Sequence, residues 1–229
     1  MKRATLQRVA ARLTGSRWFW SAAIFALFAL PLVRSIGRQL PPPPPVYGEL
    51  PDFRLVDQEG HPFGLPDLKG RVWVANFIFT SCGEVCPRLS QRMADLQSRL
   101  RNVGDAARLV SFTVDPERDT PPVLWEYSQR YHARQDFWKF LTGPLADIER
   151  TVVAGFKVAV ERSGVADTGF FDIVHGERFV LVDQEGRIRG YYSADDDGLQ
   201  ELLNQLGLLA NLGPRASGPT ATVVSSTGR

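Results

Sequence analysis

The first 38 residues of this 229-residue chain contain no aspartate or glutamate, although they hold seven of its 27 lysines and arginines. The rest of the chain therefore carries 20 basic against 25 acidic side chains, and the net charge of +2 hides a positive start followed by an acidic body. The basic isoelectric point describes only this start. Because the body lacks a basic helix with interleaved aromatic residues, we exclude nucleic-acid binding as its function.

Charged residues are also absent from residues 18–33, an apolar run between Arg17 and Arg34. Sixteen helical residues span about 24 Å of a roughly 30 Å hydrocarbon core, so a crossing helix would need snorkelling arginines or local thinning. The run suits a short membrane anchor or a signal-peptide core. We favour an uncleaved anchor, because no small-x-small cleavage site follows Leu32. The positive N-terminus should stay in the cytoplasm, which places the body on the extracytoplasmic, periplasmic side.

These patterns divide the chain into four predicted parts. Residues 1–38 form a basic leader with a single transmembrane anchor at about residues 18–33. Residues 39–46 contain five consecutive prolines and form a stiff spacer. Residues 47–210 form one folded domain, and residues 211–229, rich in Gly, Pro, Ser and Thr, form a disordered tail.

Cysteine is rare, since the chain has only Cys82 and Cys86, and both lie in the stretch FIFTSCGEVCP at residues 77–87. The apolar run at residues 71–79 predicts a buried strand, and the amphipathic segment at residues 87–100 predicts a helix. The two thiols then lie on a strand-to-helix turn. The positive end of the helix favours the thiolate, which is both the nucleophile and the metal ligand.

The spacing of four between the cysteines leaves two chemistries open. Residues i and i+4 of a helix have Cβ atoms roughly 5–6 Å apart, whereas a relaxed disulfide needs about 3.8 Å. Two thiolates that share a metal at about 2.3 Å each tolerate a sulfur separation of up to roughly 4.6 Å. The pair suits a shared metal at least as well as a disulfide, and two structural core cysteines are the remaining interpretation. Outside the cytoplasm, a working pair needs a thiol reductant or a copper donor as a partner.

The rest of the body alternates predicted strands and helices. The strands are two short ones within residues 53–63, then 108–114, 138–141, 157–160 and a hairpin at 179–192. The helices are 121–132, with Thr120 as its cap and prolines at its first positions, 144–156 and 199–209. This order predicts an α/β class with a thioredoxin-like fold. A right-handed crossover from the cysteine strand places the thiols at the carboxyl edge of the sheet, where open α/β folds keep their sites.

Histidine is nearly as rare as cysteine. His61 and His132 fall in a turn and near a helix end, where a solvated side chain is the simplest interpretation. His175 lies in a segment that runs into the strand beginning at residue 179, and in a thioredoxin-like fold that segment faces the reactive cysteines. Two thiolates and an imidazole suit copper, because sulfur favours Cu(I) and imidazole helps to hold Cu(II). His175 is therefore a candidate third ligand, with an ordinary surface or core histidine as the alternative.

Three segments together resemble the Sco (SenC) family. They are FIFTSCGEVCP at residues 77–87, TVDPERDTP at residues 113–121, and His175 ahead of FVLVDQEG at residues 179–186. The resemblance covers residues 50–208 and implies a membrane-tethered thioredoxin-like protein that serves cytochrome c oxidase assembly.

The resemblance implies that Cys82 and Cys86 are a copper-binding, redox-active pair and that His175 is the third copper ligand. It implies delivery of copper to the dinuclear copper site of cytochrome c oxidase subunit II, whose cysteines the same thiols would reduce. Asp115 and Asp119 match the family's acidic motif, which turn and cap chemistry also explains; an orienting or partner-docking role is the functional alternative.

Two other functions remain open from the sequence. One is an extracytoplasmic thiol–disulfide oxidoreductase without obligatory copper. The other is a peroxidase of the peroxiredoxin kind, which would need a single thiolate activated by an arginine.

Overall fold

The computed structural model describes residues 17–36, 41–83, 85–157 and 178–213. Contacts divide the chain into two units, Met1–Pro42 and Pro43–Arg229. The first unit contains helix α1 (Arg17–Ile36), which covers the apolar run of the leader. Among the described residues no helix combines the length and the apolar character needed to cross a membrane.

The second unit is built on one eight-stranded sheet. Its strands are β1 (Gly48–Glu49), β2 (Arg54–Asp57), β3 (Pro62–Gly64), β4 (Val72–Ile78), β5 (Ala107–Thr113), β6 (Trp138–Thr142), β7 (Arg178–Val182) and β8 (Arg187–Ser193). Its α-helices are α2 (Leu65–Leu68), α3 (Val85–Arg99), α4 (Pro121–Arg130), α5 (Leu145–Glu149) and α6 (Asp196–Leu212).

The strands lie in the order β1-β8-β7-β4-β5-β6-β2-β3. The pairs β4–β5 and β5–β6 are parallel, and the other neighbours are antiparallel. Helix α3 connects β4 to β5, which confirms the predicted strand–helix–strand unit around the cysteines. Since β4 and β5 are parallel, both end at the same edge of the sheet.

Successive residues of β4 supply two apolar layers, one on each face of the sheet. Val72 and Val74 pack in the layer that contains apolar side chains of α3, α4 and α6. Trp73 and Ala75 pack in the other layer with residues of α2 and α5, and the Trp73 ring meets Phe156 edge to face at 5.9 Å. A strand covered on both faces requires the near-continuous apolar run that the sequence shows.

Every predicted helix differs from the observed one in its bounds. Helix α4 ends at Arg130 instead of residue 132, and α6 covers Asp196–Leu212 instead of residues 199–209. Helix α3 begins at Val85, two residues before Pro87, so Cys86 lies inside its first turn. The predicted helix at residues 144–156 is α5 followed by a wider π-helical turn at Arg150–Gly155. Ile148, Val152 and Phe156 are buried in one layer, as the predicted continuous helix would bury them, so their spacing does not reveal the wider turn.

Several predicted features lie outside the described residues. These are His175, the strand at residues 158–160 and the tail from residue 214 onward. Lys157, the first residue of that predicted strand, is described and has a positive φ of 56°. Residues 211 and 212, placed in the tail by the sequence, end helix α6.

The chain enters the domain at Pro44, along strand β8. Pro44 is buried, and its carbonyl oxygen accepts a hydrogen bond from the buried Arg189 guanidinium at 2.6 Å. The Tyr47 amide then donates to the Ile188 carbonyl at 2.9 Å. Arg189 also donates through Nε to the buried Asp183 carboxylate at 2.7 Å, so one guanidinium joins the entering chain to the sheet.

We expect Arg189→Met to lower the free energy of unfolding by about 3–5 kcal/mol, because it leaves the Asp183 carboxylate and the Pro44 carbonyl buried with one donor fewer. Arg187→Ala is the matched control: Arg187 donates to the same carboxylate at 2.8 Å, but its side chain is 19% exposed, and we expect a loss of roughly 1 kcal/mol. Urea unfolding of both variants measures the difference, and equal losses would contradict this account.

Candidate metal and redox site

The cysteine turn follows directly from the end of β4. The Cys82 amide donates to the Phe79 carbonyl at 3.2 Å, which closes a tight turn between the strand and the start of α3. Cys82 is half-buried, and Cys86 is 4% exposed. The structure thus confirms the predicted strand-to-helix location of both cysteines and gives them different access to solvent.

A hydrogen bond links the two cysteines. The backbone N–H of Cys86, in the first turn of α3, donates to the Sγ atom of Cys82 at 3.3 Å. Such N–H groups at the start of a helix have no intrahelical acceptor, and they stabilise a thiolate more than a thiol. The Cys82 sulfur therefore lies where the helix can support its charged form.

The Cys86 thiol is in the opposite situation. The pKa of Cys86 is raised to about 12, chiefly by burial and to a smaller extent by the neighbouring Cys82 and the Asp119 carboxylate. A backbone hydrogen bond with Phe79 lowers the same pKa without offsetting burial. In the reduced, metal-free protein at neutral pH, Cys86 is accordingly a protonated thiol.

The acidic motif contributes a fully buried carboxylate beside the cysteine turn. Asp119 has no exposed surface, and its carboxylate accepts hydrogen bonds from the Thr80 amide at 3.1 Å, from the Thr80 hydroxyl and from the Thr113 hydroxyl. The Asp115 amide donates to the Thr113 hydroxyl oxygen at 3.0 Å. The sequence suggested cap chemistry here, yet the Asp119 carboxylate binds two strand ends instead.

A buried tyrosine lies behind Cys86. The Tyr127 hydroxyl of α4 is 2.9 Å from the Ser90 hydroxyl of α3, one helical turn beyond Cys86. Burial raises the pKa of Tyr127, so the phenol stays neutral and its hydrogen bond ties α3 to α4. The sequence analysis missed this pair, since neither residue belongs to a motif and the partners are 37 positions apart.

Among the described residues, the hydrogen bonds of His61 and His132 are made with Asp57, Gln129 and Gln97 and none is made with the cysteine turn. His61 lies with Asp57 and Glu59, the one place among the described residues where three metal-binding side chains meet. The Lys139 ammonium donates to Asp57 at 2.8 Å and to Glu59 at 2.7 Å, so these carboxylates already have a cation. His132 follows α4 in a left-handed conformation with φ 52°.

The fold and the dithiol turn define an α/β protein with a paired-cysteine site, and comparisons with known proteins identify its family. Residues 46–208 match the family described as SCO1/SenC. The SCO1 protein homolog of Bacillus subtilis is 35% identical over 150 residues, which covers 65% of this chain and 76% of the relative. The chain belongs to the SCO1/SenC family.

Solved structures agree with the sequence comparison. The structure of BsSco, described as having a disulfide switch and as a member of the Sco family of cytochrome c oxidase assembly proteins, superposes with a TM-score of 0.64 at 31% identity. That match covers 76% of this chain and 99% of BsSco. Copper-bound ScoI of Bradyrhizobium japonicum shares the fold at 23% identity, with a TM-score of 0.58 over 71% of this chain and 99% of ScoI. The predicted thioredoxin-like α/β fold is confirmed.

The unequal cysteines predict unequal alkylation. In the reduced, metal-free protein at pH 8, we expect iodoacetamide to modify Cys86 at least about a hundredfold more slowly than Cys82, because so little of Cys86 is thiolate below a pKa of about 12. Peptide mass spectrometry gives both rates, with the urea-unfolded protein as the control in which they converge. Comparable rates in the folded protein would show that Cys86 is not shielded.

Proposed function

We propose that this protein binds one copper ion through Cys82, Cys86 and His175 and delivers it to the dinuclear copper site of cytochrome c oxidase subunit II. The observation that carries the proposal is the single turn that holds both thiols, with the Cys86 amide directed at the Cys82 sulfur. Thiolates are soft ligands that select Cu(I). Membership of the family and the copper-bound relative support copper as the cargo.

The topology supports His175 as the third ligand. Strand β7 is antiparallel to β4, with Ala75 opposite Val180, so β7 begins at the edge of the sheet where β4 ends. Arg178, its first residue, is three positions after His175. Three residues span at most about 11 Å, which keeps His175 within reach of the edge that carries the cysteine turn.

The different exposure of the thiols suggests an order of copper release. Cys82 is accessible to an incoming ligand from the recipient, whereas Cys86 is shielded by the apolar layer that contains α3 and α4. An incoming thiolate would replace Cys82 first and Cys86 last. Copper would therefore stay attached to this protein until the recipient holds it.

A second candidate function is thiol–disulfide exchange with the same subunit, or with another extracytoplasmic protein. The Cys82 thiolate attacks a disulfide of the partner, a mixed disulfide forms, and one partner thiolate leaves. Cys86 then gives up its proton and attacks the Cys82 sulfur, which releases the second partner thiol. The partner gains two electrons and this protein becomes the disulfide, so a thiol reductant must restore it. The disulfide switch described for BsSco favours this candidate.

We place this activity at a membrane, with the N-terminus in the cytoplasm and the domain on the extracytoplasmic side. The charge distribution supports this placement, since basic residues without acidic ones precede the apolar run. A copper donor on that side would load the site. Attachment through one transmembrane segment of the leader belongs to the same proposal.

Copper titration of the purified, reduced protein tests the first function. We expect one copper per chain, sulfur-to-copper charge-transfer absorption for Cu(II), loss of both in the variant with Cys82→Ser and Cys86→Ser, and weaker Cu(II) binding in His175→Ala. His61→Ala is the matched control, because His61 is an exposed turn residue and its removal should leave copper binding unchanged. A reduced protein that binds no copper would refute copper delivery.

The two functions differ in their need for His175. We expect the His175→Ala variant to reduce a model disulfide at close to the wild-type rate, because thiol–disulfide exchange uses only sulfur atoms. The same variant should bind Cu(II) more weakly, because it lacks the imidazole ligand. The rate is measured by release of a chromophoric thiol, with Cys82→Ser as the inactive control. Loss of exchange together with copper binding would mean that the imidazole serves both reactions.

A further inference from the structure

Asp119 is placed where it can control the shape of the cysteine turn. The Asp119 carboxylate has no exposed surface, and burying a charge is costly unless hydrogen-bond donors surround it. The donors that bind this carboxylate therefore identify the segments that it holds together. Two of the three donors belong to Thr80, whose amide and hydroxyl both bind the carboxylate. Thr80 is two residues before Cys82 and lies inside the tight turn closed by Phe79 and Cys82.

The third donor fixes the carboxylate to a rigid support. Thr113 is the last residue of β5 and donates its hydroxyl proton to Asp119. Next to it, the Val114 amide donates to the Ile78 carbonyl at 2.9 Å, so the ends of β4 and β5 are already joined by the backbone. The carboxylate thus connects a strand end that is hydrogen-bonded to its neighbour with the turn that carries Cys82.

Helix capping does not explain this carboxylate. Thr120, not Asp119, is the N-cap residue of α4, and the Asp119 amide donates to the Asp115 carbonyl at 2.9 Å. The Asp115 side chain is about one-quarter exposed and faces Arg118 at 3.6 Å, so the two acids of the motif have different surroundings. Among the described residues, the Asp119 carboxylate is hydrogen-bonded to the segment that carries Cys82, whereas the Asp115 carboxylate is paired with Arg118.

We infer that Asp119 is a positioning residue for the copper and redox site, which holds the Thr80 end of the cysteine turn so that the Cys82 sulfur stays over the first N–H groups of α3. This inference rests on the proposed function for its copper readout. The geometry it describes, an aspartate that orders the turn through Thr80, also has a consequence in the metal-free protein. If the turn loosens, the Cys86 amide no longer holds the Cys82 sulfur, and the reactivity of Cys82 changes.

Thr80→Val tests the inference with less damage than removal of Asp119. Valine keeps the shape of threonine and the backbone donor, and it deletes only the hydroxyl that binds the carboxylate. We expect about a tenfold loss of Cu(I) affinity, measured by competition with a chromophoric chelator, since a hydrogen bond to a charged group has this weight. We also expect a severalfold change in the rate of Cys82 alkylation in the metal-free, full-length protein.

Two further variants separate positioning from general stability. Thr80→Ser keeps the hydroxyl and should restore both readouts to wild-type values. Ser111→Ala removes a buried hydroxyl in the middle of β5 that bonds Asn76 and Trp138, so it should destabilise the same sheet without moving either readout. Urea unfolding shows whether Thr80→Val and Ser111→Ala are folded and comparably destabilised.

Each outcome decides the inference. Changes in Thr80→Val alone, reversed by Thr80→Ser, support it. Wild-type affinity and alkylation in Thr80→Val, or equal changes in Ser111→Ala, overturn it. If the wild-type protein binds no copper, the proposed function fails, while the alkylation rates still show whether the Asp119–Thr80 contact positions Cys82. If Thr80→Val does not fold, the rate of Cys82 alkylation in Asp119→Asn decides the inference. The asparagine amide accepts hydrogen bonds only at its oxygen, so it cannot replace all the bonds that the Asp119 carboxylate accepts.

Discussion

The parallel pairing of β4 with β5 is the interaction on which the site depends. Seven residue pairs keep one register from Val72 opposite Ala107 to Ile78 opposite Thr113, so the two strands stop side by side. The cysteine turn follows the end of β4, and the segment with Asp115 and Asp119 follows the end of β5. Apolar layers cover both faces of these strands, and their mid-strand polar pair, Asn76 and Ser111, is fully buried, so the polar groups of the site lie at the strand ends.

The same apolar runs explain why much of the fold could be predicted. Runs of apolar residues predicted strands β4 and β5. A parallel pair of strands needs a crossover connection, and the amphipathic segment after the cysteines predicted a helix for it. The start of α3 was placed late, since proline usually opens a helix. Here Pro87 is the third residue of the helix, where its missing N–H has no intrahelical acceptor to lose.

The contacts of the site could not be predicted in the same way. The Asp119 carboxylate binds a residue 39 positions away, and no local pattern in the segment TVDPERDTP distinguishes that contact from helix capping. The contrast between the two cysteines is equally invisible in the sequence. Cys86 is buried because it lies in the first turn of α3, on the side that faces the apolar layer. That position follows from the start of α3 at Val85, two residues before the predicted start at Pro87.

The contact between Arg189 and Pro44 divides the N-terminal part of the chain into regions with different evolutionary freedom. Before Pro44, each inserted or deleted residue changes only the length of the segment that precedes the domain, by at most about 3.5 Å. From Pro44 to Leu50 the backbone is hydrogen-bonded in turn to Arg189, Ile188 and Gly186, so one insertion would move the later partners out of register. Length should therefore vary among relatives before this proline and stay constant after it.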